Sequence, residues 1–380
     1  MTISLYKIAK NFMIPAGLWK KPISKNLRVL KMYEVYRVLS QLNYVIYNLS
    51  MLIRLIEMLG DVRVDQMYSD IALTILIFEI NLKVRIYLRN KIPEMFFTVM
   101  DREKEILESG NEEIISIYKK QVDYYKFATF CQCFCSGTTI ITYVILNLYM
   151  KYGLHSLPNG NFMYQLWFPF DKEVHDTIVV LYNIFIGGCG FIFNCSIQTP
   201  LQTLMVFSTS QLKILQFKLR NCFERECSVQ YVKELIKEHQ FLIEFVTNFN
   251  KGVRYVVLFD FILESLNGAG ALLEVMRVKE PIQIPFSLMY VILLLSNLIM
   301  LAWSANELLI QSANVANAIY ESNWMDQTEE IKKLLFIVLM RSQKPLSIDV
   351  GPFRTLDNGA AVLTMKGSYT YAQVMTHKAS

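Results

Sequence analysis

Residues 286–301 read FSLMYVILLLSNLIML, from Phe286 to Leu301, without one charged side chain. A helix rises 1.5 Å per residue, so about 20 such residues cross the roughly 30 Å hydrocarbon layer of a bilayer. The apolar character continues on both sides, and a membrane span over about 284–311 is predicted.

Working outward from this stretch, similar apolar blocks occupy about 36–58, 68–88, 127–150, 177–207 and 254–275. A seventh, broken block covers about 331–348 plus 355–375. Composition agrees: 53% of the residues are hydrophobic and only 19% charged, against about 25% charged in a soluble domain. Glu79, Lys83 and Arg85 interrupt the second block, and charges inside a span snorkel or face the bundle interior. The predicted fold is all-α: a polytopic membrane protein of seven transmembrane helices, the last broken in two. The Lys residues near the N-terminus leave no apolar core for a signal peptide. The spacing of Leu5, Ile8 and Phe12 suits a short amphipathic helix at the membrane interface; a basic tail without structure is the alternative.

Lys and Arg set the orientation. Lys7, Lys10, Lys20, Lys21, Lys25, Arg28 and Lys31 precede the first span. Further basic groups follow the second span (Arg89 to Lys126), the fourth (Lys213 to Arg254) and the sixth (Lys332 to Lys344). Most of the 38 basic residues thus share one side, which is expected to be cytoplasmic, with the N-terminus inside and the C-terminus outside. That polarity argues against a G-protein-coupled receptor. So does the acidic-Arg triplet Asp101-Arg102-Glu103, which follows the second span rather than the third. The seven cysteines all fall in spans or on the basic side, so no external disulfide is expected. Cys131-x-Cys133-x-Cys135 points its thiols to different helix faces and reads as ordinary packing, not metal ligation. The sequons at Asn48 and Asn194 lie within spans.

The basic loops carry helical patterns of their own. Residues 93–126 read as two helices broken at Ser109-Gly110-Asn111, and 208–253 keep apolar residues at helical spacing. Helices continuing past the membrane are expected to form a cytoplasmic bundle. The loop at about 151–176, with Leu157-Pro158, Trp167 and Phe168-Pro169-Phe170, reads either as a lid over a pocket mouth or as an interfacial aromatic belt. Gly187-Gly188-x-Gly190 suits close helix packing. The chain shows no nucleophile elbow, zinc-protease helix or phosphate-binding loop, so no enzymatic activity, cofactor or metal is expected. Its formal net charge of +5 is accounted for by loops facing anionic lipid, and no nucleic acid partner is implied.

The C-terminal motifs are specific. Ala316-x-Ala318-x-Tyr320 and Ser322-x-Trp324 precede Arg341-Ser342-Gln343-Lys344-Pro345-Leu346, Gly351-x-Phe353 and Lys366-x-Ser368-Tyr369-Thr370-Tyr371. Together they resemble the signature of insect odorant receptors, in motif over about 313–375 and in architecture over the whole chain. Gustatory receptors are related but match less well. The resemblance implies a subunit of a tetrameric, ligand-gated, non-selective cation channel in the plasma membrane of a sensory neuron. It also implies a shared co-receptor subunit as partner in a heterotetramer.

By the same resemblance, residues 1–311 hold the first six spans with an odorant pocket in their outer half. Residues 312–380 form a cytoplasmic anchor and a pore-lining last helix. Pro345 and Gly351-Pro352 break the last block independently of that likeness. The gate carries over to Val374, where a ring of valines closes a pore by dewetting, with His377 and Lys378 just outward. Four lysines in a ring would repel cations, so Lys378 argues for a mixed channel. The implied pocket for a small, mostly apolar volatile draws Ser136, Thr139 and Tyr143 from one face of the third span. To these it adds Ile75 and Phe78 from the second, Tyr182 and Ile186 from the fourth, and Phe286, Met289 and Tyr290 from the sixth. Aromatic residues at helical spacing also suit plain core packing. A secondary transporter is the other class in view, but the internal repeat such proteins show is missing.

Overall fold

A computed structural model of the chain describes residues 4–58, 64–155, 157, 162–223, 228–277 and 284–377. Among these residues the chain forms ten α-helices: α1 Leu5–Met13, α2 Leu27–Met58, α3 Val64–Arg89, α4 Ile92–Glu108, α5 Glu112–Leu148, α6 Asp176–Arg220, α7 Val229–Arg277, α8 Ile284–Tyr320, α9 Glu329–Ser342 and α10 Asn358–His377. The seven predicted spans correspond to α2, α3, α5, α6, α7, α8 and α10. Among the described residues, four stretches are long and apolar enough to cross a membrane by composition: Glu112–Gly153, Asp176–Arg220, Val229–Leu273 and Ile284–Tyr320.

Several spans overrun the bilayer. The 45 residues of α6 and 49 of α7 extend about 68 and 74 Å at 1.5 Å per residue. The surplus lies at the basic end, where it forms the helical bundle expected from the loops. The break before α5 is built as its sequence requires. Gly110 takes φ +67°, and Asn111 caps the helix, its Oδ1 accepting from Glu113 N at 3.0 Å and Ile114 N at 3.2 Å.

At the centre is α6, packed against α8, α5, α1, α7 and α3. Its Pro200 removes a backbone donor. Flanking carbonyls accept phenols from neighbouring helices: Ile197 O from Tyr87 at 3.2 Å and Thr199 O from Tyr125 at 3.0 Å.

One expectation of the fold is revised. The N-terminal helix does not lie out at a lipid interface or trail as a tail. Instead α1 docks on α6 and α4, burying Leu5, Ala9 and Met13. Burial of a side chain the size of Leu5 or Met13 contributes about 1.5–3 kcal/mol each. Polar contacts settle its position: Glu103 accepts from Ser4 Oγ at 3.1 Å and Leu5 N at 2.9 Å, and Ser196 Oγ donates to Phe12 O at 2.5 Å. Burial pushes the Glu103 carboxyl above its ordinary range, against the pull of those donors. The acidic-Arg triplet therefore anchors a helix. The broken last block divides as expected: the 14-residue α9 packs at the basic end on α7 and α8, where Lys233 pairs with Glu330 at 3.2 Å, and α10 follows as a separate helix.

Between α9 and α10 the chain makes a two-stranded hairpin, β1 (Asp349–Val350) against β2 (Arg354–Thr355). Gly351 turns it at φ +58° and donates its N–H to Arg254 O at 2.9 Å. A Cβ there would meet Leu258 at 2.8 Å, so only glycine fits. Asn250 completes the dock, its Nδ2 reaching Asp349 Oδ2 at 2.6 Å and its Oδ1 accepting from Asp349 N at 2.9 Å.

Candidate ligand site

Away from the basic end, the half of the bundle near the 154–175 loop is held by rings. Tyr143 on α5 stacks on Phe286 of α8 at 4.2 Å between centroids, and Phe286 stacks on Tyr290 at 6.1 Å. Their cluster includes Leu146 and Ala271, with Leu76 of α3 packed against it. One turn below Tyr143, Thr139 donates to Cys135 O at 2.7 Å and lies 3.2 Å from Met289 O on α8. Ser136, a further turn along, accepts from Asn194 Nδ2 of α6 at 3.4 Å. Six of the ten expected pocket residues therefore come together: Ser136, Thr139, Tyr143, Phe286, Met289 and Tyr290.

The remaining four divide. Ile186 is buried and Tyr182 half-buried in the larger core on the other side of the loop, where Tyr182 meets Phe168 edge-on at 5.8 Å. Ile75 is half-buried outside both clusters. Phe78 is 51% exposed and points away from the rings. The helix rotation offers Leu76, rather than Ile75 or Phe78, to the Tyr143 cluster, because α3 turns Ile77 and Ile80 inward against its neighbours. On α10, Val374 is exposed, the His377 backbone ends the helix, and Lys378 lies outside the described residues.

The described part of the loop divides: Phe162, Met163, Tyr164 and Leu166 are buried among the helices, whereas Trp167 and Phe170 are exposed. Tyr143 Oη donates to Met163 O at 2.5 Å, and Tyr164 N donates to Asn183 Oδ1 on α6 at 2.9 Å. The ring of Tyr164 joins two halves, edge-on to Tyr143 at 5.8 Å and to Tyr47 at 5.7 Å. From Tyr47 the chain of rings continues through Tyr44, at 5.9 Å, to Phe193 of α6, stacked at 4.3 Å. The hydroxyls of Tyr44 and Tyr47 and the Asn48 amide nitrogen are buried without hydrogen-bond partners, a cost of about 1–3 kcal/mol each that a polar ligand atom or water removes. The sequence reading passed over these α2 residues. Their signal was the buried face Tyr44, Tyr47, Met51 at helical spacing.

Beside the buried 162–166 segment, a cleft of about 410 Å³ opens next to Arg54, Glu57, Trp167, Phe168 and Lys172. Ser50 and Trp167 tie its walls, Ser50 Oγ donating to Trp167 O at 2.7 Å. Burial, then the nearby Arg54 charge, holds the Lys172 ammonium below its ordinary value.

A profile of the family "7tm Odorant receptor" matches residues 71–369 of this chain. The chain belongs to the insect odorant receptor family. Among its relatives, Odorant receptor 10 of Aedes albopictus is 28% identical over 228 residues, 58% of this chain and 60% of that one. Odorant receptor 30a of Drosophila melanogaster is 33% identical over 152 residues, 39% and 40% of the two chains. These alignments span less than two thirds of the relatives, whereas Odorant receptor 2a of Drosophila melanogaster aligns at 22% identity over 93% of this chain and 91% of its own. Among solved structures, the olfactory receptor OR5 from Machilis hrabei in complex with eugenol superposes with a TM-score of 0.86 at 17% identity, covering 98% of both chains. This odorant receptor family member thus has the seven-helix membrane fold that its hydropathy predicted, and its relatives are receptors rather than enzymes.

Proposed function

We propose that the chain is the odorant-binding subunit of a heteromeric, ligand-gated, non-selective cation channel in the plasma membrane, completed by a shared co-receptor subunit. The observation that carries this reading is the ring cluster of Tyr143, Phe286 and Tyr290 against the buried loop at Met163–Tyr164. Flat aromatic walls with a few oriented polar groups suit a small, mostly apolar volatile. The like-folded olfactory receptor was solved in complex with eugenol, a molecule of that kind.

Tyr143, Thr139, Ser136, Phe286, Met289 and Tyr290 line this site in our reading, with Tyr44 and Tyr47 added from α2. Residues 1–311 form the ligand-binding bundle and 312–380 the anchor and pore element. The basic end faces the cytoplasm, which places the N-terminus inside.

Support for the pore comes from α10. One face, with Ala361, Ser368 and Ala372, is buried on the bundle, and the opposite one exposes Leu363, Lys366, Thr370, Gln373 and Val374. A membrane helix with an uncovered face that mixes polar and apolar residues suits a water-lined axis between subunits. Val374, 50% exposed, is the gate in this reading, and Lys378 is diluted by partner subunits that bring another residue there.

Co-expression with the co-receptor and whole-cell recording tests the proposal. Volatiles from a broad panel are expected to evoke cation currents, and Tyr143→Ala is expected to weaken their potency about tenfold or more without loss of surface protein. Val374→Ala is expected to change conductance or basal opening. A channel indifferent to Val374→Ala removes that residue from the pore.

A further inference from the structure

Four ionisable side chains lie buried between two helices: Glu79 and Lys83 on α3, Asp260 and Glu264 on α7. Lys83 Nζ is 2.6 Å from Glu79 Oε1 on its own helix and forms an ion pair across the interface with Asp260. Glu264 follows Asp260 by four residues on the same face of α7, within the electrostatic reach of Lys83, and oxygens of Glu79, Asp260 and Glu264 are all buried without a hydrogen-bond partner. One ammonium therefore serves three carboxylates, Glu79 on its own helix and two on α7 about 6 Å apart.

A buried carboxylate oxygen left without a partner is costly, and sealing a helix bundle does not call for it. A second acceptor one turn along is what two registers of one interface require. One-turn shifts of packed elements between discrete positions are a known form of switching.

The neighbours of α7 give such a shift a route. At one end Ala271 packs in the cluster of Phe286 and Tyr290. Gly268 lies so close to Ser368 of α10 that a Cβ would sit 2.9 Å from its Oγ, and Arg254 O holds Gly351 of the hairpin. These contacts couple α7 to α10, whereas α3 is joined to α7 by packing, by the charges, and at its end by Asn90 Nδ2, which donates to Gly252 O at 2.6 Å.

We propose that Lys83 is a positioning residue that selects between two registers of α3 on α7, paired with Asp260 in one and Glu264 in the other. The exchange carries movement from the aromatic cluster to α10. This inference rests on the channel reading above.

Asp260→Asn weakens one register and Glu264→Gln the other. With the co-receptor present, eugenol and the most potent volatile from a broad panel are applied at graded concentrations, and surface protein is measured by biotinylation. The two variants are expected to move the half-maximal concentration in opposite directions, each by about tenfold, within the usual range of allosteric coupling. A cluster that only holds the helices together moves both in the same direction, and that result overturns the proposal.

Where Asp260→Asn does not reach the surface, Glu264→Gln and Glu264→Asp decide. The amide is expected to shift the response and the shorter acid to restore it. An amide variant that responds as wild type overturns the proposal. A wild-type chain without evoked current sinks the channel reading and this inference together, while a responding wild type with concordant variants sinks the positioning role alone.

Discussion

The two ends of this bundle are held by different forces. At the basic end the contacts are directional: Glu103 binds the start of α1, Asn250 grips Asp349 from two sides, and Gly351 fits under Arg254. Ion pairs such as Lys233–Glu330 and Arg220–Glu321 span neighbouring helices. Near the 154–175 loop the contacts are mostly ring on ring, and the phenols of Tyr44 and Tyr47 have no partner. Directional contacts hold one geometry, whereas ring faces slide at small cost and unpaired hydroxyls favour a change that pairs them. A bundle built this way has one end fixed in geometry and the other with room to adjust.

Perturbations that belong to one end sharpen the contrast. The largest effect is expected from Gly351→Val, which forces a β-branched residue into φ +58° and a Cβ into Leu258. Strain and overpacking of about 3 kcal/mol or more should lower the thermal midpoint of the purified protein by several degrees and reduce surface assembly. A wild-type midpoint would break the claim that the hairpin is rigidly seated. Glu103→Ala comes next. It leaves Ser4 Oγ and Leu5 N without their acceptor, at about 1–3 kcal/mol. Hydrogen exchange should quicken over residues 5–13 and stay unchanged over 136–146; faster exchange in both would show that the ends are not independent.

The basic end should also respond to acid. Burial, then the positive charge of Arg341, holds His239 down at about 4 from an ordinary 6.5. The folded state therefore favours neutral imidazole. The stabilisation is complete above about pH 6.5 and is lost as pH falls from there towards 4. Thermal midpoints measured between pH 7.5 and 5 should drop, and His239→Gln should flatten the curve. A curve unaffected by that substitution excludes His239 as its source.

Smaller effects belong to the outer half. Tyr143→Phe keeps the stack on Phe286 and deletes the bond to Met163 O, at about 1 kcal/mol. Limited proteolysis within 154–175 should speed up, with the midpoint of the whole protein nearly unchanged. Phe78→Ala should have the least effect, within about 0.5 kcal/mol, because the ring faces outward. A shifted ligand potency in that variant would return Phe78 to the site.

Legibility followed the physics of each region. The spans were readable because length and apolarity alone decide what crosses lipid, and Gly110, Asn111, Pro345 and Gly351 mark their breaks through backbone chemistry. The aromatic cluster was half readable. Ser136, Thr139 and Tyr143 share one helix face by spacing, but which face turns inward is not written in a helix that is apolar all round. That is why Phe78 was expected inside and Tyr44 and Tyr47 were passed over.

The sequence by itself determined which segments are membrane helices, where the last block breaks, and which family the C-terminal motifs resemble. Only the tertiary structure decided that α1 docks on Glu103, that the 162–166 segment enters the bundle, and that Lys83 meets Asp260 across an interface. The reason is common to all three. Helix formation is satisfied within a segment by its own hydrogen bonds, whereas helix rotation, docking and ion pairing depend on what the neighbouring segments leave unfilled or unpaired.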